Sequence, residues 1–271
     1  KDAEEYGDLE LITDDFDKIL EVSDALYIAS HPTLHYKQIK KALKNGKHVI
    51  CESPVALSGE ECDELYEIAG KSGLILMDAI KTAYSTAYAR MLLLFESGAI
   101  GKVVSVDATC TSLRVNENGD PDYYKTNWNS SCDWGPNAIL PVFQLLGTEY
   151  KDIRIISSFA DEDKDYDLFS KFDFTYDSAV ATVKVGKGVK SEGELVVSGT
   201  KGYVYVPAPW WKTDYFEIRY ENPADKKRYF YQLNGEGIRY EIVAFIKAIE
   251  SGRVIDMIPR EVSRAICEVV S

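Results

Sequence analysis

The 271-residue sequence contains no apolar run approaching the length of a membrane-spanning helix and no secretory leader pattern, which argues against an integral membrane protein and an exported one. It is short of positive charge: 31 Lys and Arg stand against 44 Asp and Glu, a formal net charge of −13, so nucleic acid and anionic membrane are not expected partners. The five cysteines are odd in number and scattered, with no C-x-x-C spacing to suggest a redox pair or a metal site. Cys51 and Cys267 lie in apolar runs and read as inert core thiols, and a reducing cytoplasm is the expected compartment. All three histidines, His31, His35 and His48, fall early, so nothing beyond residue 48 can supply an imidazole. Nowhere is there a G-x-G-x-x-G turn, the usual grip on a pyrophosphate. Internal repeats and low-complexity tracts are also absent.

With 45% apolar residues, the chain can build a proper core in two modest domains or one large one. Its organising stretch runs from Ala25 to Pro54. Ala25 to Ser30 is apolar without alternation, as expected of a parallel strand buried on both faces. His31 and Pro32 turn the chain into a helix with Leu34, Ile39, Ala42 and Leu43 at helical spacing, and Asn45-Gly46 stops it. A second buried strand, His48 to Cys51, ends in Glu52-Ser53-Pro54. This is one right-handed βαβ unit, and both strand ends lie on the carboxyl edge of the sheet, where open α/β sheets bind ligands.

Around this unit, Leu9 to Ile12 reads as a short strand and Phe16 to Glu21 as a helix capped by Thr13-Asp14-Asp15. Ser58 to Ser72 is an amphipathic helix opened by a capping box, Ser58 with Glu61. Leu74 to Met77 is another strand, and Ala87 to Phe95 another helix. From Gly101 the period changes to two: the strand from Val103 is followed by alternating runs beginning near residues 153, 168, 179, 194, 203, 215 and 228. These predict a mostly antiparallel sheet with one exposed face. Helices near 237–250 and 259–270 close the chain. Asp161 to Asp167 reads as a solvated acidic hairpin tip, and Pro207 to Trp211 as a strand-edge turn or a subunit contact.

Asp24, Ile28-Ala29-Ser30, His35, Asn45-Gly46-Lys47-His48-Val49 and Cys51-Glu52-Ser53-Pro54 resemble the second half of the dinucleotide domain in the glucose–fructose oxidoreductase / inositol dehydrogenase (Gfo/Idh/MocA) family. The resemblance continues through Leu76-Met77-Asp78-Ala79, Ser97 to Val103, Asp133-Trp134-Gly135, Leu145-Leu146-Gly147 and Gly199 to Gly202. It implies a partial Rossmann domain, a doubly wound parallel sheet over 1–98, followed over 99–271 by an α+β substrate and oligomerisation domain with helices on one face of a mostly antiparallel sheet. It also implies NAD or NADP as cofactor, a sugar-like or polyol substrate, and a homodimer or homotetramer formed through the second sheet. The first strand, phosphate turn, first helix and second strand of the family would precede Lys1. The chain is therefore read either as the tail of a longer protein or as a branch without the phosphate grip.

By this resemblance Ser30, His31, Pro32, His35, Glu52 and Ser53 line the cofactor. The family's catalytic Lys position holds Ser53, Asp133 is retained, Asn137 stands at the usual His position, and Ala83 replaces a frequent Arg. Ser and Asn can orient a hydroxyl but exchange no protons near neutral pH. Lys81, at the same sheet edge, is the candidate replacement cation. Each residue also has a structural explanation: His35 as a helix-start residue bonded to backbone, Glu52 as a strand-end acid, Asp133 as an N-cap. Tyr123, Tyr124, Trp128 and Trp134 form an aromatic group suited to a sugar face or to loop packing, and Tyr124, Trp128 and Trp134 are the candidate substrate contacts. Two functions stay open: hydride transfer at a sugar, polyol or nucleotide-sugar hydroxyl, with Asp133 orienting substrate, or a non-catalytic binding or assembly module.

Overall fold

A computed structural model describes residues 9–114, 127–160, 162, 164, 166–253 and 257–271. Two sheets form. Parallel strands β1 (Ala25–Ile28), β2 (His48–Glu52) and β3 (Leu76–Ala79) lie side by side in chain order. The connections are α2 (Pro32–Lys44) and α3 (Gly59–Ser72), with α1 (Phe16–Val22) ahead of β1. His31 caps α2 and Pro32 occupies its first turn, where a missing N–H costs nothing. Ser58 Oγ accepts from Glu61 N at 3.1 Å to open α3, and Gly73 closes it in the left-handed region at φ 65°. Leu9 and Ile12, expected in a strand, are exposed and belong to no sheet: they have no neighbouring strand to pair with.

After a 3₁₀ turn (Lys81–Tyr84) and α4 (Thr86–Glu96), the period-two region forms eight strands: β4 (Val103–Thr111), β5 (Asp152–Phe159), β6 (Asp167–Thr175), β7 (Val180–Gly186), β8 (Leu195–Gly199), β9 (Tyr203–Val206), β10 (Tyr215–Arg219) and β11 (Lys227–Phe230). Their spatial order is β11-β10-β9-β8-β4-β7-β6-β5, antiparallel throughout except where β4 runs parallel to β7. Val106, Ala108, Phe172, Phe174, Val183, Val197, Val204 and Phe216 fill the inner face, which α5 (Ser130–Leu146) covers. The outward face carries Asp107, Lys171, Asp173, Lys184, Tyr203, Tyr205, Glu217 and Arg219, so alternation has sorted apolar from polar as expected.

The last two helices return to the first sheet. Phe245 and Ala248 of α6 (Ile238–Ser251) cover Ile50, Met77 and Ala79 on one face, while Cys267 of α7 (Arg260–Val270) joins Leu26, Ile28, Val49, Cys51 and Leu76 on the other. All five cysteines are buried and unpaired. Trp210 and Trp211 are core residues rather than a surface turn, and Asp167 is buried, accepting from Ser131 N and Oγ and from Ser170 Oγ, rather than solvated. Among the described residues no helix is long and apolar enough to cross a membrane, and no cluster of His, Cys, Asp or Glu is arranged to hold a metal.

Candidate active site at the junction of the two sheets

The carboxyl edge of the three-stranded sheet faces the start of α5 and the end of β7, and the candidate residues gather there. β2 delivers Glu52, the 3₁₀ turn after β3 delivers Lys81, and α5 delivers Asp133; the charges of Lys81 and Asp133 both act on Glu52. Burial pushes the Glu52 carboxyl up, Tyr27 and Lys81 pull it down, Asp133 adds to the rise, and the net shift is upward. Lys81 also lies 3.8 Å from Glu236, which Lys212 binds at 2.5 Å.

Asp133 does not cap its helix. Asn129 does, accepting from Cys132 N at 2.9 Å, and places Asp133 inside the first turn, where the helix dipole favours an acid. Its carboxylate pairs at 2.9 Å with Lys187, just beyond β7, a lysine only 3% exposed whose ammonium also donates to Trp128 O at 2.6 Å. Asp133 thus enters the site already held by a buried cation. Asn137, one turn on, accepts from Thr82 Oγ1 at 3.1 Å, and Thr82 also reaches Trp211 O at 3.2 Å. This ties α5 to the turn carrying Lys81.

His35 is fully buried, with Nδ1 2.8 Å from Pro54 O and Nε2 2.7 Å from Ser30 O. Burial pulls its imidazole below the ordinary value, against the two carbonyls. It braces the ends of β1 and β2 and stacks edge-on against Trp128 at 5.6 Å. Ser30 Oγ donates to Gln38 at 2.5 Å, and His31 Nδ1 lies 2.9 Å from Thr33 Oγ1. These contacts account for the conformation of the Ser30-His31-Pro32 turn without any ligand. Ser53, 6% exposed, turns towards the interior carboxylate of Asp78 rather than outward beside Glu52, and neither its hydroxyl nor either Asp78 oxygen finds a well-aligned partner. Burial pushes the Asp78 carboxyl up to about 7. Trp134 donates to Ser112 Oγ at 3.2 Å and packs against Trp211 at 4.9 Å. Tyr123 and Tyr124 lie outside the described residues.

Three groups escaped sequence reasoning: Lys187, Tyr27 and Glu241. Tyr27 Oη lies 2.6 Å from Glu52 Oε1 and 2.9 Å from Glu241 Oε1 of α6. For Lys187 the available signal was a lysine flanked by Gly186 and Gly188 at a strand end; for Glu241 it was an acid in line with Phe245 and Ala248 on the apolar stripe of a helix.

Among known proteins, the model of the oxidoreductase family with an NAD-binding Rossmann fold, GFO_IDH_MocA, matches residues 1–79. The match to this family model covers the three-stranded sheet and the helices between its strands. Over 61 residues it is 43% identical to the scyllo-inositol 2-dehydrogenase (NADP(+)) IolU of Bacillus subtilis, an alignment covering 22% of this chain and 19% of IolU. It spans 39% and 33% of the lengths of two further curated relatives. Two solved oxidoreductase structures share the fold over nearly the whole chain. A levoglucosan dehydrogenase in complex with NADH and levoglucosan superposes with a TM-score of 0.84 at 20% identity, covering 99% of this chain and 82% of that one. KijD10, a 3-ketoreductase from Actinomadura kijaniata in complex with NADP and TDP-benzene, superposes with a TM-score of 0.80 at 19% identity, covering 95% and 80%. At such identities the likeness is one of fold.

Proposed function

We propose that this chain carries the nicotinamide-facing half of an NAD- or NADP-dependent oxidoreductase acting on a hydroxyl or carbonyl of a sugar, polyol or nucleotide sugar. The observation that carries this reading is the meeting of Glu52, Lys81 and the Lys187-held Asp133 at the sheet edge. Relatives named for NADP(+), NADH and NADP support the cofactor class, and a scyllo-inositol dehydrogenase and a levoglucosan complex support the substrate class.

The residues present suit one end of the dinucleotide. Glu52 at the end of β2 and the Ser30-His31-Pro32 turn suit a ribose and its nicotinamide; the glycine turn for the pyrophosphate is not in this sequence. The nicotinamide supplies the hydride acceptor or donor. In this assignment Asp133 accepts a hydrogen bond from the substrate hydroxyl, while Lys81 places positive charge where an alkoxide develops. Asn137 orients without exchanging protons, while Ser53, turned towards Asp78, leaves the family's lysine position without a side chain in the site. Trp128, Trp134 and Tyr124 are proposed for the sugar face. Assembly as a homodimer or homotetramer through the outward face of the eight-stranded sheet belongs to the same proposal; a monomer by light scattering at micromolar concentration would remove it.

Titration of NAD and NADP, oxidised and reduced, against the protein tests the cofactor. Saturable quenching of tryptophan fluorescence with an upward thermal shift is expected, and its absence at millimolar cofactor overturns the reading. The serine at position 53 and the asparagine at 137 favour one alternative, a family member that binds without turnover. Saturable binding with no oxidation of any polyol offered would select it.

A further inference from the structure

We infer that Glu241, Tyr27 and Glu52 form a proton relay, in which Glu241 is carried as the neutral acid and its proton is delivered through the Tyr27 phenol to Glu52 at the candidate site. Hydrogen counting leads to this directly. Tyr27 Oη lies within hydrogen-bonding distance of two carboxyl oxygens, Glu52 Oε1 at 2.6 Å and Glu241 Oε1 at 2.9 Å. A phenol has one hydrogen and can donate to one of them only. The other contact brings two oxygens together, and it is attractive only if the carboxyl supplies the hydrogen.

Glu241 is the better holder of that extra proton. It is 0% exposed, and Oε2 has no hydrogen-bond partner among the described residues. The groups facing it are Tyr27 from β1, Glu52 from β2, Asp78 from β3 and Lys81 from the 3₁₀ turn: two acids, a phenol and a single cation that also serves Glu236. Burial and the two acids outweigh Tyr27 and Lys81 and push the Glu241 carboxyl up to about 8. Glu52, half-exposed at the sheet edge and nearer Asp133, is the end that meets ligand.

The relay supplies the exchange that Ser53 and Asn137 cannot, and its use in catalysis rests on the oxidoreductase reading. In the reducing direction the O–H bond of Tyr27 breaks as the Glu52 carboxylate takes its hydrogen, the O–H bond of Glu241 breaks as Tyr27 is restored, and a carbonyl carbon takes hydride from the reduced nicotinamide dinucleotide while its oxygen takes the proton from Glu52. Glu52 returns to the carboxylate, and Glu241 is left as a carboxylate for solvent to reprotonate. Oxidation of the alcohol runs the same transfers backwards.

Infrared spectroscopy of the protein without ligand tests the proton directly. A protonated carboxyl stretch is expected at neutral pH in an Asp78→Asn background, chosen to silence the other buried acid. It should disappear near pH 8, be absent in Glu241→Gln and change frequency in Tyr27→Phe. No such band at neutral pH, or a band lost in Glu52→Gln but kept in Glu241→Gln, overturns the relay. As an independent readout, wild-type unfolding stability should decline from about pH 4.5 to pH 8, and the decline should flatten in Glu241→Gln; identical slopes count against the inference. With cofactor and a turned-over carbonyl, Tyr27→Phe should lower kcat by about 100-fold with KM little changed. A wild type that shows the band but no turnover retains the relay and removes the oxidoreductase reading. Turnover without the band does the reverse.

Discussion

Two glutamates, one on β10 and one at the junction of the sheets, share near-complete burial and almost nothing else. Glu217 on β10, 4% exposed, is ringed by Arg219 at 2.5 Å, Arg228 at 3.1 Å and Lys226 at 3.5 Å, with Tyr215 donating to it. Burial would raise its carboxyl, but the Tyr215 and Arg219 hydrogen bonds and the charges of Arg219 and Lys226 prevail and hold it at about 2. Glu241 at the junction has a phenol, one shared lysine and two other acids about it, and goes the other way. Burial sets the stakes and the neighbours set the sign. The outer strands have matched their charges, and the junction has left two carboxyls without a cation of their own. Incomplete compensation of this kind marks sites where protons move more often than sites that merely hold a fold together.

Breaking the tightest match at the junction gives the largest expected effect. Lys187→Met leaves the Asp133 carboxylate without its buried cation and should cost about 3 kcal/mol in urea unfolding. A loss below a tenth of that would show the pair to be ornamental. Next comes Asp78→Asn. Burial pushes the Asp78 carboxyl up to about 7 in the folded protein, against 3.8 for the free side chain, so its favourable state is complete below about pH 4 and is lost as pH rises to 7. The variant should flatten that decline and gain on the order of 1–3 kcal/mol over wild type at pH 8. An unchanged pH profile would show that Ser53 and Ser263 already compensate the charge. On the matched side, Glu217→Ala sets three cations against one another and should cost about 1 kcal/mol, less at high salt. A cost that grows with salt would break the contrast. The smallest effect is expected for Thr82→Val, which removes the hydroxyl between Asn137 and Trp211 and should lower stability by roughly 0.5–1 kcal/mol.

What could be read from the chain was what local pattern determines. Strands buried on both faces show as unbroken apolar runs, so β1, β2 and their crossover were visible, as were the Ser58 cap and the change to period two at β4. Leu9 to Ile12 misled because apolar content is necessary for a strand but pairing makes one. Asp133 was one turn out because the residue before the apolar run looked like a cap, when Asn129 with Cys132 already filled that role. Tyr27 and Glu241 stand 214 positions apart, and no period or motif connects them. Their meeting depends on α6 folding back over the first sheet, a decision made by Phe245 and Ala248 rather than by either partner.

The parallel pairing of β4 with β7 bears on how the molecule is made. β4 ends at Thr111, yet its two neighbours are Val180–Gly186 on one side and Leu195–Gly199 on the other. During synthesis this inner strand of the larger sheet therefore leaves the ribosome with both edges bare and stays so until β7 has been made, about 70 residues later. Pairing so distant in sequence loses loop-closure entropy before any contact offsets it, which makes this edge the late step in assembling the sheet.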